Sequence, residues 1–439
     1  MSALRALRPK APLRERGSER RIVALVRALL LFESAMYSAV TPVLPHYART
    51  LGASKPAVGL LAAAYPAGIL PGSLLAAWMA SRVGVRRTAL IGLLLFAVSI
   101  VAFGFGSDIV TLDALRFVQG AACGFIWGGG LTWVIAVAPR ERRGGMLGSV
   151  IGAATFGTLI GPILGTLAVA AGTQLVFSLV GAASLALGAW TMRYPEPTPA
   201  EPGTSTPLRA VLRNPAILLG GWLILLEACT VGATGTLLPL RLARFGAPAW
   251  AIGATFVLAS LVSAALSPTI GRLVDRRGAR LPLCAGLVTT AALLILLPVP
   301  HAWLGLAVIS VIALGAPLTA YTIPAMSVIT ESAERAGIAL VVATTLLNLA
   351  WATGETIGAP AAAGISQATS DAVPLLILAA IMLATLVVVR RRVASPRPPA
   401  GAVPVEPEAA SRPAATAEPR SDQPSTAGTS VTSRATRAA

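Results

Sequence analysis

Glu33, Glu227 and Glu355 are the residues, among 18 Asp and Glu in the chain, that fall deep inside long apolar segments. If its segment is a helix, Glu33 lies about 16 Å along it, near the middle of a bilayer. An ionised carboxylate there costs about 2.5–3.5 kcal/mol or more, so it must be protonated, paired or in contact with water. Because burial favours the neutral acid, such a group can bind and release a proton. We expect these residues to couple proton movement to another event; the alternative is that they only hold helices together.

Arg116 is the basic residue that lies deepest in the apolar part of the chain. We expect it to be a counter-charge whose approach to a carboxyl group releases the proton. Residues three, four or seven positions apart share one face of a helix, so further side chains should face the acids. These candidates for the wall of a cavity are Tyr37, Thr230, Thr234, Asn348 and Trp351.

The composition indicates which elements must carry these residues. The chain has 439 residues, of which 55% are hydrophobic and 12% are charged, and its mean hydropathy is +0.75. Soluble domains carry about 25% charged residues, and a membrane span needs about 20 mostly apolar residues. We predict an all-α membrane protein with twelve transmembrane helices. The predicted spans are 22–46, 57–80, 88–107, 111–138, 146–170, 174–193, 216–240, 250–271, 281–299, 302–328, 336–364 and 373–390.

The distribution of arginine predicts the orientation in the membrane. The formal net charge is +17, and the basic residues concentrate in the loops on the side of the predicted spans that carries both termini. Cytoplasmic loops of membrane proteins are enriched in Lys and Arg. We therefore expect both termini in the cytoplasm and the protein in the inner, or plasma, membrane. The arginines should contact anionic lipid headgroups, and nucleic acid is not expected as a partner.

Residue types that are typical of enzymes, metal centres and disulfides form no cluster in the sequence. Cys123, Cys229 and Cys284 fall inside predicted spans without CxxC spacing, so no disulfide framework and no metal site is expected. The sequence has no Ser-His-Asp, metal or nucleotide-binding motif. We expect no enzymatic activity, no cofactor and no direct use of ATP.

The sequence matches itself at an offset of 194 residues (227 − 33), which aligns Glu33 with Glu227. Chance does not explain a match that aligns a rare intramembrane Glu and several loop arginines at the same offset. The pattern predicts two pseudo-symmetric six-helix bundles with a site at their interface. Further aligned pairs are Pro45 and Pro239, Gly52 and Gly246, Arg82 and Arg276, Gly84 and Gly278, and Arg86 and Arg280.

The repeat and the polar stretches together predict the domain boundaries. The predicted parts are a cytoplasmic N-terminal tail (1–21), a first six-helix bundle (22–193), a cytoplasmic linker (194–215), a second six-helix bundle (216–392) and a C-terminal tail (393–439). The C-terminal tail is rich in Pro, Ala, Ser and Thr and cannot bury enough apolar surface to fold. We expect it to be disordered in the cytoplasm.

The segment from Gly271 to Arg280, with the sequence GRLVDRRGAR, resembles the signature loop of the major facilitator superfamily. The copy in the first half departs from the pattern, because Ala77 replaces a Gly and Ser81 replaces an Asp. The resemblance implies a loop that helps to close the cytoplasmic side; the alternative is that its arginines only set the topology. The candidate gating residues are Arg82, Gly84, Arg86, Gly271, Asp275, Arg276, Gly278 and Arg280.

Further motifs resemble the drug:proton antiporters of this superfamily and their vesicular-amine-transporter-like branch. The segment 116–120, RFVQG, resembles a motif linked to proton coupling, and 157–165, GTLIGPILG, resembles an antiporter motif. The second motif implies a helix bend that limits proton leak; the alternative is helix packing. Spans one and eleven resemble the amine-carrier branch, but Asn348 stands where amine carriers have Asp. The residues of the bend motif are Gly157, Gly161, Pro162 and Gly165.

These observations predict a secondary active transporter that exports small amphipathic compounds, cationic or neutral, in exchange for protons. The expected partners are a small-molecule substrate, protons and lipid, and the expected oligomeric state is a monomer. One alternative with the same fold is a proton-coupled uptake symporter for a sugar or an organic acid. A second alternative is a membrane sensor or assembly factor that transports nothing, which would not need Glu33.

Overall fold

The computed structural model describes residues 13–139, 142–196, 214–336 and 340–392, and every regular element in these ranges is a helix. Several loops contain only a few residues, so consecutive long helices run antiparallel. The helices are α1 (Leu13–Ala39), α2 (Leu44–Thr50), α3 (Lys55–Val83), α4 (Val85–Gly104), α5 (Ile109–Val137), α6 (Arg143–Ala171), α7 (Thr173–Met192), α8 (Pro215–Arg244), α9 (Ala249–Arg277), α10 (Arg280–Leu296), α11 (Trp303–Arg335), α12 (Leu340–Ala368) and α13 (Ala372–Arg392).

Ten helical segments in the described residues are long and apolar enough to cross a membrane. Helix α10 is apolar but shorter. This confirms an all-α, multi-pass membrane protein. The exact number of twelve spans stays a prediction, although the helices coincide with the twelve predicted segments.

The first predicted span differs from the structure in two ways. Helix α1 begins at Leu13, so residues 13–21, predicted as a tail, are helical. A 3-10 turn at Thr41–Val43 then separates α1 from α2, because Pro42 and Pro45 have no N–H to donate to a continuous helix. The predicted tail ends 1–12 and 393–439, and residues 197–213 of the predicted linker, lie outside the described residues.

The internal repeat recurs in the backbone. Gly84 and Gly278 connect α3 to α4 and α9 to α10 with φ of +94° and +76°, a conformation that favours glycine. In both copies, the arginine two residues after this glycine donates to a backbone carbonyl at the end of the last helix of the same half. Arg86 Nη1 donates to Tyr194 O at 2.7 Å, and Arg280 Nη2 donates to Arg390 O at 3.0 Å.

The buried apolar side chains form two clusters that follow the repeat. One cluster draws on residues 22–180 and the other on residues 217–389. We call residues 13–196 the first half and residues 214–392 the second half. Each half therefore has its own core, and the surfaces that face the other half can separate without opening either core.

The two halves contact each other at the end of the helices that carries loops 51–54, 245–248 and 369–371, which we call the Lys55 end. A Cβ on Gly59 of α3 would lie 2.7 Å from Ala363 Cβ of α12. Lys55 Nζ binds Asp371 Oδ1 at 2.6 Å, and Arg244 Nη2 binds Asp371 Oδ2 at 3.0 Å. The opposite end, which carries Arg82 and the ends of the described chain, is called the Arg82 end.

Asp371 is the centre of this contact. Burial alone would raise the pKa of Asp371, but hydrogen bonds from Lys55 and Ser366 and the charges of Arg244 and Lys55 outweigh burial. The pKa is therefore lowered from its ordinary value. Asp371 stays ionised at neutral pH and joins the first half, through Lys55, to the second half.

Candidate functional site

Two adjoining cavities lie between the halves near the middle of the helices. The acidic chamber has a volume of about 370 Å³ and is lined by Glu33, Tyr65, Trp127, Glu227, Asn348 and Trp351, among others. The hydroxyl chamber has a volume of about 260 Å³ and is lined by Ser38, Arg116, Thr158, Thr234, Ser260 and Glu355, among others. Tyr37, Thr155 and Thr158 line both cavities. The three intramembrane carboxyl groups predicted from the sequence therefore all face cavities between the halves.

Glu33 on α1 is 2% exposed and accepts hydrogen bonds on both carboxyl oxygens. The Tyr65 hydroxyl of α3 donates to Oε1. Trp127 Nε1 of α5 donates to Oε2 at 2.6 Å, and Ser34 Oγ donates to the same oxygen at 3.4 Å. Charge-assisted bonds of this kind are about twice as strong as neutral ones, so this surrounding suits a carboxylate.

Glu355 on α12 is 7% exposed and has fewer partners. The Tyr37 hydroxyl of α1 donates to Oε1, which makes a hydrogen bond between the halves. Oε2 is buried and has no hydrogen-bond partner in the part of the chain that the structure describes. This oxygen is therefore available to a proton or to a ligand in the hydroxyl chamber.

Glu227 on α8 lines the acidic chamber, opposite the wall formed by Glu33. The sequence predicted that Thr230 and Thr234 share the helix face of Glu227, but neither of them lines the acidic chamber with it. Thr234 lies two turns further along α8 and lines the hydroxyl chamber, and its hydroxyl donates to Thr230 O at 2.6 Å. Thr230 is 1% exposed and is not a lining residue of either chamber, and its hydroxyl donates to Leu226 O within the helix.

Arg116 on α5 is 2% exposed and forms no ion pair with a carboxylate of the described residues. Its Nη1 donates to Gln119 Oε1 at 3.0 Å, and its Nη2 donates to Tyr37 O at 3.5 Å. The guanidinium lies 4.4 Å above the Tyr65 ring. Tyr65 thus lies between Arg116 and Glu33, and the direct counter-charge expected from the sequence is not formed in this conformation.

The aromatic candidates meet at the boundary of the two chambers. The Tyr37 ring lies 5.5 Å from the Trp351 ring of α12 and 5.5 Å from the Tyr65 ring of α3. Asn348 lies two turns from Glu355 on α12, but it lines the acidic chamber rather than the hydroxyl chamber. The predicted wall residues, apart from Thr230, therefore gather around the two chambers.

The candidate gating residues lie away from the chambers, at the Arg82 end. Arg82 lies over the Trp78 ring at 5.4 Å, and Asp275 and Arg276 are exposed. Glu196, which follows α7, accepts a hydrogen bond from Arg86 N at 2.9 Å. Glu196 thus brings an acidic group to the loop in which Ser81 replaces the expected Asp.

The glycines of the predicted bend motif face the backbone of α1. A Cβ on Gly157, Gly161 or Gly165 would collide with the carbonyl oxygen of Leu31, Ala35 or Ala39, respectively. Such close approach needs glycine and supports the packing alternative. Pro162 lies inside α6, and the role of this segment in limiting proton leak stays a prediction.

Sequence reasoning missed the two donors to Glu33, the acid Glu196 and the Lys55–Asp371 contact. One signal was present for the donors. Tyr65 and Trp127 carry polar groups inside apolar spans, and a buried Tyr O–H or Trp N–H usually has a partner. The sequence alone did not show which acid that partner would be.

The model of the Major Facilitator Superfamily matches residues 28–355 of the chain. The chain belongs to this superfamily. It is therefore a transporter and not an enzyme, and the resemblance read from the sequence motifs is confirmed.

Two relatives show how far the similarity extends. Multidrug resistance protein 2 of Bacillus subtilis is 27% identical over 146 residues, which cover 33% of this chain and 36% of the relative. The human chromaffin granule amine transporter is 24% identical over 233 residues, 52% of this chain and 44% of the relative. The chain thus aligns with less than half the length of either protein.

The fold also matches a solved transporter structure. A bacterial homologue of the human lysosomal transporter Spinster, in an inward-facing and occupied conformation, has a TM-score of 0.70 and 14% identity. The match covers 85% of this chain and 96% of that chain. At this identity the match shows a shared fold.

Proposed function

We propose that this superfamily member exports small amphipathic compounds, cationic or neutral, in exchange for protons. The observation that carries the proposal is the placement of Glu33, Glu227 and Glu355 around two chambers between halves that have separate cores. A buried carboxyl group facing water can bind either a proton or a cation, so one group can serve both ligands in turn.

The acidic chamber suits an organic cation. Glu33 and Glu227 supply carboxyl groups, while Tyr65, Trp127 and Trp351 supply aromatic faces. A cation over an aromatic face gains about 0.5–2 kcal/mol. The names of the two relatives, a multidrug resistance protein and an amine transporter, agree with an amphipathic or amine-like substrate.

We further propose twelve spans in two six-helix bundles that rock around the chambers, with the Arg82 end and both termini in the cytoplasm. The arginine-rich loops at that end support the orientation. Under this orientation the Lys55 end is extracellular and is held by Asp371, so the structure corresponds to an inward-facing state. Export then requires the Lys55 contact to open while the Arg82 end closes. We also propose that the protein acts as a monomer in the plasma membrane.

Uptake of an organic acid is the competing proposal, and the position of Arg116 counts against it. An anion would need a cation whose donors are free to bind it. Arg116 lines the hydroxyl chamber, but its Nη1 and Nη2 already donate to Gln119 and to Tyr37 O, and its guanidinium is stacked on Tyr65. A sugar symporter would show sugar-dependent proton entry. A protein that transports nothing would show no flux in any of these assays.

The test uses purified protein in proteoliposomes with ethidium, a permanent organic cation that cannot carry a proton itself. We expect a pH gradient to drive ethidium against its gradient in the wild type, compared with protein-free vesicles. Glu33→Gln should reduce this flux to the protein-free level, because the carboxylate is lost from the acidic chamber. Glu331→Gln is the matched control, since Glu331 is exposed and paired only with Arg335. Wild-type flux in the Glu33→Gln variant would remove Glu33 from the mechanism.

A further inference from the structure

Tyr37 is the side chain at which the two chambers and the two halves meet. It lines both chambers. Its hydroxyl donates to Glu355 of the second half, and its ring contacts Tyr65 of the first half and Trp351 of the second. A single residue of α1 therefore lies at the boundary of the chambers, together with Thr155 and Thr158 of α6, and binds a carboxyl group of α12.

The three carboxyl groups do not all line the same chamber. Glu33 and Glu227 line the acidic chamber, whereas Glu355 lines the hydroxyl chamber. The charged and titratable groups that face Glu355 are Tyr37 of α1, Arg116 of α5 and Glu227 of α8. A ligand in the acidic chamber and a proton at Glu355 thus occupy different chambers, and Tyr37 lines both.

The hydroxyl chamber can lead water to the free oxygen of Glu355. Ser38 and Thr158 donate their hydroxyl hydrogens to backbone carbonyls at 3.0 and 2.7 Å, and Thr234 does the same at 2.6 Å. Their oxygens therefore remain as acceptors toward the chamber. Water held by these acceptors can deliver a proton to Glu355 Oε2, which has no partner in the described residues.

We propose that Tyr37 is a positioning residue that couples protonation of Glu355 to movement of the halves. This inference rests on the proposed function. A proton from water adds to Glu355 Oε2, the carboxylate becomes a neutral acid, and Tyr37 keeps its own proton. The bond from Tyr37 to Oε1 then changes from charge-assisted to neutral and loses about half its strength. Helices α1 and α12 therefore separate more readily once the proton has bound.

Tyr47 offers a matched comparison on the same span. It is 4% exposed, and its hydroxyl donates to Phe103 O at 3.4 Å within the first half. It lines neither chamber. Loss of the Tyr47 hydroxyl should therefore have a structural effect without an effect on coupling.

The experiment compares Tyr37→Phe with Tyr47→Phe in proteoliposomes, using ethidium as the probe. Ethidium exchange without a pH gradient reports movement of the halves alone. For Tyr37→Phe we expect at least about tenfold less stimulation by the pH gradient, where stimulation is the ratio of ethidium flux with the gradient to ethidium exchange without it; this corresponds to about 1.4 kcal/mol of coupling. The ratio divides out any change in ethidium binding that the variant causes at the chamber wall. For Tyr47→Phe we expect wild-type stimulation.

A second measurement needs no substrate. Protection of the amides of residues 51–58, at the Lys55 end, is measured as the exchange rate relative to the intrinsic rate at the same pH. This protection should depend on pH in the wild type and lose that dependence in Tyr37→Phe. An unchanged stimulation ratio and an unchanged pH dependence of protection in Tyr37→Phe would overturn the inference while the proposed function stands, and so would an equal fall of the stimulation ratio in Tyr47→Phe. A wild type that shows no response of ethidium movement to the pH gradient would instead overturn the proposed function, and the inference with it.

Discussion

Glu33 and Glu355 have the same side chain but different surroundings. Glu33 accepts bonds from Tyr65, Trp127 and Ser34 on both oxygens, whereas one oxygen of Glu355 is buried without a partner. A hydrogen bond to a charged group contributes about 1.5–3 kcal/mol. Removing one donor should therefore weaken the hydrogen bonding of Glu33 much more than it lowers the stability of the fold.

At this scale we predict that Trp127→Phe lowers proton-driven ethidium flux by about tenfold or more, because the N–H bond of 2.6 Å to Glu33 is lost. Trp222→Phe is the control. Trp222 also donates its N–H, at 3.1 Å to Thr385, but it lies outside both chambers. Flux measured in proteoliposomes should separate the two variants. An equal loss of flux in the two variants would show that removal of the indole N–H acts through packing and not through Glu33.

Helix α6 illustrates how the elements are held together. Its glycines at 157, 161 and 165 bring its backbone against α1, where a Cβ would collide with carbonyl oxygens. In lipid the helices gain little from the hydrophobic effect, so close packing of small residues is a main source of association. The same contact places Thr158 of α6, which lines both chambers, beside Ser38 of α1, which lines the hydroxyl chamber.

At the scale of this element we predict that Gly157→Ala destabilises the protein by about 1–3 kcal/mol through overpacking. Gly148→Ala on the same helix is the control, because a Cβ there meets no atom within 4 Å. Since alanine favours a helix by about 1 kcal/mol over glycine, Gly148→Ala should be neutral or stabilising. Thermal unfolding in detergent measures both. A Gly157→Ala variant as stable as Gly148→Ala would contradict the packing account of α6.

At the scale of the whole molecule, as far as the structure describes it, the conformation depends on contacts between the two halves, each of which has its own core. The Lys55 end is held by the ion pairs of Asp371 with Lys55 and Arg244. Lys55 and Asp371 are 25% and 11% exposed, so water screens this pair only in part, while Arg244 is 53% exposed and contributes less. These contacts join surfaces that must separate if the halves rock.

At this scale we predict that Asp371→Asn increases hydrogen exchange of residues 51–58 and 363–371 by about fivefold, for a contribution of about 1 kcal/mol. Because the pKa of Asp371 is lowered, the ion pair is present above that pKa and is lost only as pH falls through it. The difference from the wild type should therefore be the same at about pH 5 and pH 8. Asp108→Asn is the control, since Asp108 caps only its own helix. A difference that disappears at about pH 5 would show that Asp371 titrates in that range.

The sequence by itself determined the all-α membrane fold, the superfamily, the repeat that aligns Glu33 with Glu227, and the three buried carboxyl groups. These follow from local facts, namely the length of apolar segments, the loop motifs and the rarity of acids within spans. Helical spacing also placed Tyr37 and Glu33 on one face, and both line the acidic chamber.

Only the tertiary structure decided which helices meet at each carboxyl group. Helical periodicity relates residues along one helix, but contacts between helices depend on how each helix is rotated and how closely small residues allow it to approach. Tyr65 therefore lies between Arg116 and Glu33, Thr230 lines neither chamber, and Tyr37 reaches Glu355, which is 318 residues away in the chain. The division into two chambers arises from that packing, because each chamber is lined by several helices.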